Sequence, residues 1–493
     1  GGGTLVGLAR TSCSDFLVPI GTGGFSLSGG ESLLVTVRFT PQSAAPSSCS
    51  VAFGSGTNGN CSDLPCTGTG QGPVCVVSPT SLDFGTIQAG ERSTQDFTVR
   101  NAGGGTLTGT VQLPSCSQFV LDAGGGAYDL PSGAVRTVTV AYVPSDQGSH
   151  ACQVNTGCND TVPCLGHASG WWSGFASNAP NGAVNTLAVH GSRLAVGGNF
   201  WLVGSTPTDD MAWWTGSSWI PNTDPSWLGV NVLHEWLGPL GQGSLVAAGM
   251  NQSEDNATAQ WQGGFWMPLA GSFGILPVRV LATWHDSLFV GGDFTSPVAR
   301  LGRWNGTFWE AADQSLIASG VNDLESLNGV LYVATSPDVA DPSRGGAIYR
   351  RDGGTWTYLV DTIHTRPLTT VQKLATHGGS LYAIVAIGLD YYVARLNGTI
   401  LLQVGKADGG SIVDLASYGG RLYVTGTFTG MDGVPASRVA AWYGSAWHPL
   451  GSGISGGHES PTVILPFGGS IYVGGDFTTA GGKNSPNIAR WIP

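Results

Sequence analysis

The sequence predicts an all-β chain: immunoglobulin-like β-sandwiches in tandem, the first of them incomplete, followed by a seven-bladed β-propeller. Three observations predict it. A phrase of short apolar strands recurs seven times in the last two-thirds of the chain. A different, cysteine-bearing phrase is written nearly twice in the first third. The 78 glycines of 493 residues fall between apolar β segments, which marks tight turns rather than disorder.

The first third reads as residues 1–72 and 73–169. Gly1-Gly2-Gly3-Thr4-Leu5 returns as Gly103-Gly104-Gly105-Thr106-Leu107, and Val35-Thr36-Val37 returns as Val138-Thr139-Val140. Pro41 matches Pro144; Cys13 matches Cys116; Cys49, Cys61 and Cys66 match Cys152, Cys158 and Cys164. Alternating apolar and polar strands separated by Gly, Pro and Ser turns suit a β-sandwich. The second copy has a lead-in, residues 75–101, that the first lacks and that reads as its first two strands. A sandwich without them exposes a core groove and unpaired backbone groups. Two readings follow: the residues belong to a longer tandem array, or another subunit supplies the strand.

All nine cysteines (Cys13, Cys49, Cys61, Cys66, Cys75, Cys116, Cys152, Cys158 and Cys164) lie in this third. Dense cysteines in small β modules predict disulfides and an oxidising, extracellular or cell-surface setting. Their pairing stays open. Zinc is the rival reading, but its signature is Cys-x-x-Cys pairs, and the closest spacings here are Cys61-x4-Cys66 and Cys152-x5-Cys158-x5-Cys164.

The ring fills residues 170–493. Its repeated strand starts at Leu194, Leu245, Leu288, Leu331, Leu381, Leu422 and Ile471, 41 to 51 residues apart, the length of one four-stranded blade. A closing Trp follows at Trp219, Trp266, Trp309, Trp356 and Trp447, with Leu401 in the fifth unit. Five residues before each stands another large side chain: Trp214, Trp261, Trp304, Arg351, Leu396 and Trp442. The seventh unit stops soon after Trp491 without its closing strand. The segment Trp171–Phe175 is therefore expected to supply that strand and clasp the ring.

Two resemblances rest on these residues. Pro73–Asn101 followed by Gly-Gly-Gly-Thr-Leu, with the opening Ser-Pro-Thr-Ser-Leu-Asp-Phe-Gly, resembles bacterial extracellular immunoglobulin-like repeats related to the ASH family. The ring resembles kelch and galactose-oxidase-like propellers through Leu-x-Val-Gly-Gly-Asp-Phe and Ala-Arg-Trp. Both imply a fold more than an activity.

Chemistry is sparse. A copper oxidase would need a Cys beside a Tyr, and the ring holds no Cys. His190, His285 and His377 recur at one turn and read as repeat residues, while His234, His364, His448 and His458 are scattered. Asn199, Asp293 and Asp476 share the place after Gly-Gly, where bonding to loop backbone is expected. Asp209, Asp210, Asp338 and Asp341 lack the spacing of a calcium loop. No nucleophile elbow or phosphate loop occurs. The expectation is no enzyme, no cofactor and no metal. Trp201, Trp227, Trp236 and Tyr443 are candidates for a carbohydrate platform. Asn60, Asn159, Asn251, Asn256, Asn305 and Asn397 head possible glycosylation triplets, which would make a glycoprotein. A net charge of −12 with three Lys argues against nucleic acid, and no apolar run is long enough to span a membrane. Absence of an initiator Met and of a signal peptide suggests a mature or partial product. A structural or adhesive surface protein is expected, self-associating through the incomplete sandwich into a filament. The alternative is a carbohydrate-binding or carbohydrate-active propeller, for which convergent carboxylates on one ring face would be the sign.

Overall fold

Period-two patterning and turn-forming glycines favour strands over helices. The computed structural model describes residues 3–20, 23–54, 61–158, 160–224, 227–238, 243–312, 320–337, 345–363, 366–457 and 461–493. Among them there are β-strands and no α-helix. The chain divides into two compact units, Gly1–Ala168 and Ser169–Pro493.

In the first unit, residues 73–164 form a complete sandwich. One sheet runs in the order Phe119–Ala123, Val135–Tyr142, Ser93–Asn101, Cys75–Ser78. The others pair Leu107–Val111 with Gly126–Leu130, and Gly148–Asn155 with the strand starting at Thr161. Alternation turns Phe97, Val99, Val138, Val140 and Tyr142 inward, all fully buried, with Leu82 and Phe84 closing the core. The lead-in is three strands, not the expected two. Cys75–Ser78 lies against Ser93–Asn101, while Leu82–Gln88 crosses to the strand starting at Thr161. Asn101 is buried and satisfied at both ends of its amide: Nδ2 donates to the Gly105 and Leu130 carbonyls, and Oδ1 accepts from the Val74 and Gly103 N–H groups.

Residues 3–72 repeat this plan with the same strands and no counterpart of the lead-in. Leu5–Ala9 pairs Gly23–Leu27, Phe16–Ile20 pairs Thr36–Phe39, and Pro46–Val51 pairs Leu64–Thr69. The copies agree at fine scale. A Cβ on Gly7 would meet the Phe25 ring at 2.4 Å, and one on Gly109 would meet the Tyr128 hydroxyl at 2.4 Å. The cores do not agree. Val35, Val37 and Phe39 are half-buried where Val138, Val140 and Tyr142 are sealed, and Leu33, Leu34 and Leu64 are exposed.

Three disulfides form: Cys13–Cys49, Cys116–Cys152 and Cys75–Cys158. The first two are the same bond in the two copies. Of the nine disulfide candidates, Cys61, Cys66 and Cys164 are free thiols. The reason is register: Cys66 and Cys164 lie opposite Cys49 and Cys152, whose sulfurs are already taken by Cys13 and Cys116.

The second unit is a β-propeller. The innermost strands are Val184–His190, Trp227–Leu237, Val278–Trp284, Val321–Leu327, Thr370–His377, Ile412–Tyr418 and Pro461–Phe467. Five of them open a sheet of four strands, while Thr370–His377 ends an eight-stranded sheet and Pro461–Phe467 a six-stranded one; each packs on the inner strand of the next sheet, and the last packs on the first. The Trp spacing is explained by cross-strand pairing. Trp214, Trp261, Trp304 and Trp442 lie directly opposite Trp219, Trp266, Trp309 and Trp447. Three of the outer Trp also bond to the preceding sheet. Trp309 Nε1 donates to Thr258 Oγ1 (3.3 Å), Trp356 to the Ala312 carbonyl (3.2 Å) and Trp447 to the Val404 carbonyl (3.2 Å).

The last sheet, Pro461–Phe467, Ser470–Gly475 and Ile488–Ile492, takes its outer strand from the start of the unit. Gly170 pairs Ile492 and Trp171 pairs Trp491, with the two indoles 5.3 Å apart. Trp171 Nε1 donates to the Leu450 carbonyl at 2.8 Å, as Trp356 and Trp447 donate to theirs. The expected clasp Trp171–Phe175 is shorter than predicted. After Trp171 the chain turns, and Phe175 is buried against Trp214 and Tyr472 between the first and last sheets.

The Gly-Gly-Asp-Phe phrase is a packing device. Phe200, Phe294, Phe428 and Phe477 are all fully buried. Each loop returns with a positive-φ residue (Asp210, Arg300, Arg438 or Asn487) whose N–H donates to that Phe carbonyl at 2.8–3.0 Å.

Candidate functional site

Where seven inner strands face one another, their side chains enclose a cavity of about 570 Å³. One strand position points Thr186, Val232, Val280, Asp323, Lys373, Asp414 and Val463 at it from successive sheets. Lys373 Nζ stands 3.3 Å from Asp323 Oδ1 and 3.9 Å from Asp414 Oδ1. The remaining carboxylate oxygens reach the next sheet: Asp323 Oδ2 accepts the Leu374 N–H and Asp414 Oδ2 the Ile464 N–H, both at 2.8 Å. Thr186 Oγ1 accepts the Leu233 N–H at 3.0 Å in the same way. The position thus stitches sheet to sheet.

Burial raises the Asp414 carboxyl to about 6, although Lys373 pulls the other way. Burial and the neighbouring Asp323 charge raise Glu325 to about 7. Asp323 is raised by its burial too. For Lys373, burial works against the charge, yet Asp323 and Asp414 overrule it and the pKa rises. Burial lowers His234 to about 4, and its Nε2 lies 2.8 Å from Thr283 Oγ1. Neutral His and bonded carboxylates make a lining suited to holding the ring. Among the described residues, no group of three His, Cys, Asp or Glu side chains converges to hold a metal.

The residues singled out in the sequence stand apart. His190 Nδ1 meets Glu235 Oε2 at 2.6 Å, and His377 Nδ1 meets Ser417 Oγ at 2.8 Å, each on the following sheet. His285 is one residue out of this register. Trp284 takes the equivalent place, its Nε1 donating to the Gly329 carbonyl, and His285 stacks on Trp284 at 4.3 Å. Asp293 pairs with the Arg279 guanidinium rather than with loop backbone. Asp210 Oδ1 accepts the Phe200 N–H, and burial raises its carboxyl to about 6. His448 stacks on Tyr443 at 3.9 Å. His364, His458, Asp338 and Asp341 lie outside the described residues.

The carbohydrate platform does not assemble. Trp201 is exposed, but Trp227 is buried in the second sheet's core, Trp236 bonds the Asp286 carbonyl, and Tyr443 is covered by His448 and Arg421. Of the glycosylation candidates, Asn305 and Asn397 are exposed at turns and Asn251 is half-buried. Asn256 is corrected: it is buried, with Nδ2 donating to the Gly274 carbonyl, so no glycan fits there. Asn60 and Asn159 lie outside the described residues.

The cluster that sequence reasoning missed is Asp323–Lys373–Asp414. Its signal was the shared place of the three residues, two after the first apolar residue of each inner strand.

A second site lies in the first unit. Leu5, Phe25, Leu27, Val35, Phe53 and Cys61 line an apolar groove of about 240 Å³. In residues 73–164 the matching space is filled by the lead-in strands and the Cys75–Cys158 bridge.

Residues 73–164 match the family of HYDIN/CFA65/VesB-like immunoglobulin-like domains. Among solved structures, the chain is similar to the ASH/PapD-like domain 7 of human CEP192 (13% identity, 19% of this chain and 84% of that one, TM-score 0.16). It is also similar to a protein of unknown function from Porphyromonas gingivalis W83 (13%, 34% and 85%, TM-score 0.16). A third is the β-propeller domain of the Trilobed protease from Pyrococcus furiosus (10%, 69% and 98%, TM-score 0.35). No curated protein matches the chain. Residues 73–164 are an immunoglobulin-like domain, and three disulfides fit an oxidising compartment. No helix of the described residues is long and apolar enough to cross a membrane.

Proposed function

We propose that this chain is an extracellular structural or adhesive protein of a bacterial surface, without enzymatic activity, whose immunoglobulin-like modules present a propeller. Subunits join through the first sandwich into a filament. The observation that carries this reading is the open apolar groove of residues 3–72, beside a second copy in which the same groove is filled. A surface of that kind is stabilised when a strand is added to it. The lining of the propeller cavity supports the non-enzymatic part, since its charged groups are consumed in bonds between sheets.

Electron microscopy of the native material tests it. Regular fibres with a repeat set by one subunit are expected. Isolated monomers at high concentration, with the amides of residues 32–39 exchanging freely, would overturn the filament. Turnover of any glycan by the purified chain would overturn the non-enzymatic reading.

A further inference from the structure

We infer that the groove of the first sandwich is the seat of a cysteine-headed polypeptide strand segment of the same kind as Cys75–Asn101, and that the segment becomes disulfide-bonded to Cys61. Four observations on separate atoms converge on this occupant. Cys61 is a free, exposed thiol, while Cys158, at the same place in the second copy, is bridged to Cys75. The groove at Cys61 is lined by Leu5, Phe25, Leu27, Val35 and Phe53. In the second copy the counterparts Leu107, Tyr128, Leu130 and Val138 pack in one core with Leu82, Phe84, Phe97 and Val99 of the lead-in. Third, Ser93–Asn101 pairs along the whole of Val135–Tyr142, whereas the matching residues 32–39 have strand structure only over Thr36–Phe39, paired on one side to Phe16–Ile20. Fourth, Asn101 binds the carbonyls of Gly105 and Leu130, whose counterparts are Gly3 and Leu27.

The occupant is therefore defined by its chemistry: a Cys, then Leu-x-Phe, then Phe-x-Val ending in Asn. The covalent step is thiol–disulfide exchange. The donor cysteine arrives as a mixed disulfide with a small thiol such as glutathione. Cys61 loses its proton, its sulfur displaces the small thiolate, and that thiolate takes up a proton and leaves as the free thiol.

This inference deepens the association proposed above by naming the partner's chemistry. Its test uses the full chain and a synthetic peptide with the sequence of residues 75–101, its cysteine capped by glutathione. Expected is a mass gain of one peptide, located at Cys61, with release of one glutathione, and slowing of amide exchange over residues 32–39 by about tenfold or more. Cys61→Ser should lose the adduct and keep the slowed exchange. A peptide carrying Phe97→Ser and Val99→Ser should lose both. Adducts spread equally over Cys61 and Cys66, or unchanged exchange with the native peptide, would overturn the assignment. A peptide that seats while micrographs show only monomers would overturn the fibre and leave the groove assignment standing.

Discussion

The two sandwiches share strands, a disulfide and even the glycines that admit an aromatic ring, yet one has a sealed core and the other an open one. The difference is a single lead-in of three strands. It teaches that local sequence sets each hairpin, while the core depends on whether a central strand is present to lie between them. Phe97 and Val99 lie beside Val135–Tyr142 in their sheet and share a core with Val138 and Val140, so their absence uncovers that neighbour. The propeller meets a comparable edge and resolves it internally, by borrowing Gly170–Trp171.

The comparison can be broken at four points. Trp171→Ala removes a buried indole and its bond to the Leu450 carbonyl, giving the ring an open edge like that of the first sandwich. A loss of about 3–5 kcal/mol in propeller stability is expected, read by thermal unfolding, with faster amide exchange over Ile488–Ile492. Replacing Cys75 and Cys158 together by Ala frees a loop spanning 83 residues and should cost the second sandwich about 2–5 kcal/mol in denaturant unfolding. Cys61→Ala, at the matching place in the first, should change nothing measurable in the same assay.

Core truncation sharpens the contrast further. Val140→Ala should cost about 2 kcal/mol, because Val140 is fully buried. Val37→Ala should cost less than about 0.5 kcal/mol while the groove is empty, and approach the larger figure once a strand is seated. The smallest effect concerns pH. Glu325 and Asp414 have folded pKa values above those of an unfolded chain, so the fold prefers their protonated forms. Their contribution is fully present near pH 4 and is lost as pH rises through about 6 to 7. Glu325→Gln should therefore melt a few °C above the parent at pH 8, on the order of one kcal/mol in effect, and equal it at pH 4.

Much of this was legible in the sequence. The five-residue interval between large side chains gave the outer hairpins, because two residues that far apart face each other across a four-residue turn, as Trp214 and Trp219 do. The repeated leucines gave the sheets, and the cysteine register gave the equivalence of the two copies. What was not legible depends on contacts between distant segments. Cys66 and Cys164 look like partners in a string of cysteines, but only strand register shows that they lie opposite sulfurs already bridged. Asp323, Lys373 and Asp414 come from three successive blades, and nothing in one blade reveals that the next places a cation beside its carboxylate. His285 looked like a repeat residue because a one-residue shift is invisible without the turn, where it takes a positive φ.

The clasp at Trp171 also fixes an order of events during synthesis. Trp171 leaves the ribosome early, yet its carbonyl is held by Lys483, 312 residues downstream. The final blade therefore stays one strand short for as long as translation of the ring continues, and contacts of such long range form slowly. Until Trp491 has been made, the nascent chain carries an unmatched strand and an unmatched sheet at once. A premature stop anywhere in the last blade would leave both exposed, and such truncated products should be prone to aggregate or be degraded.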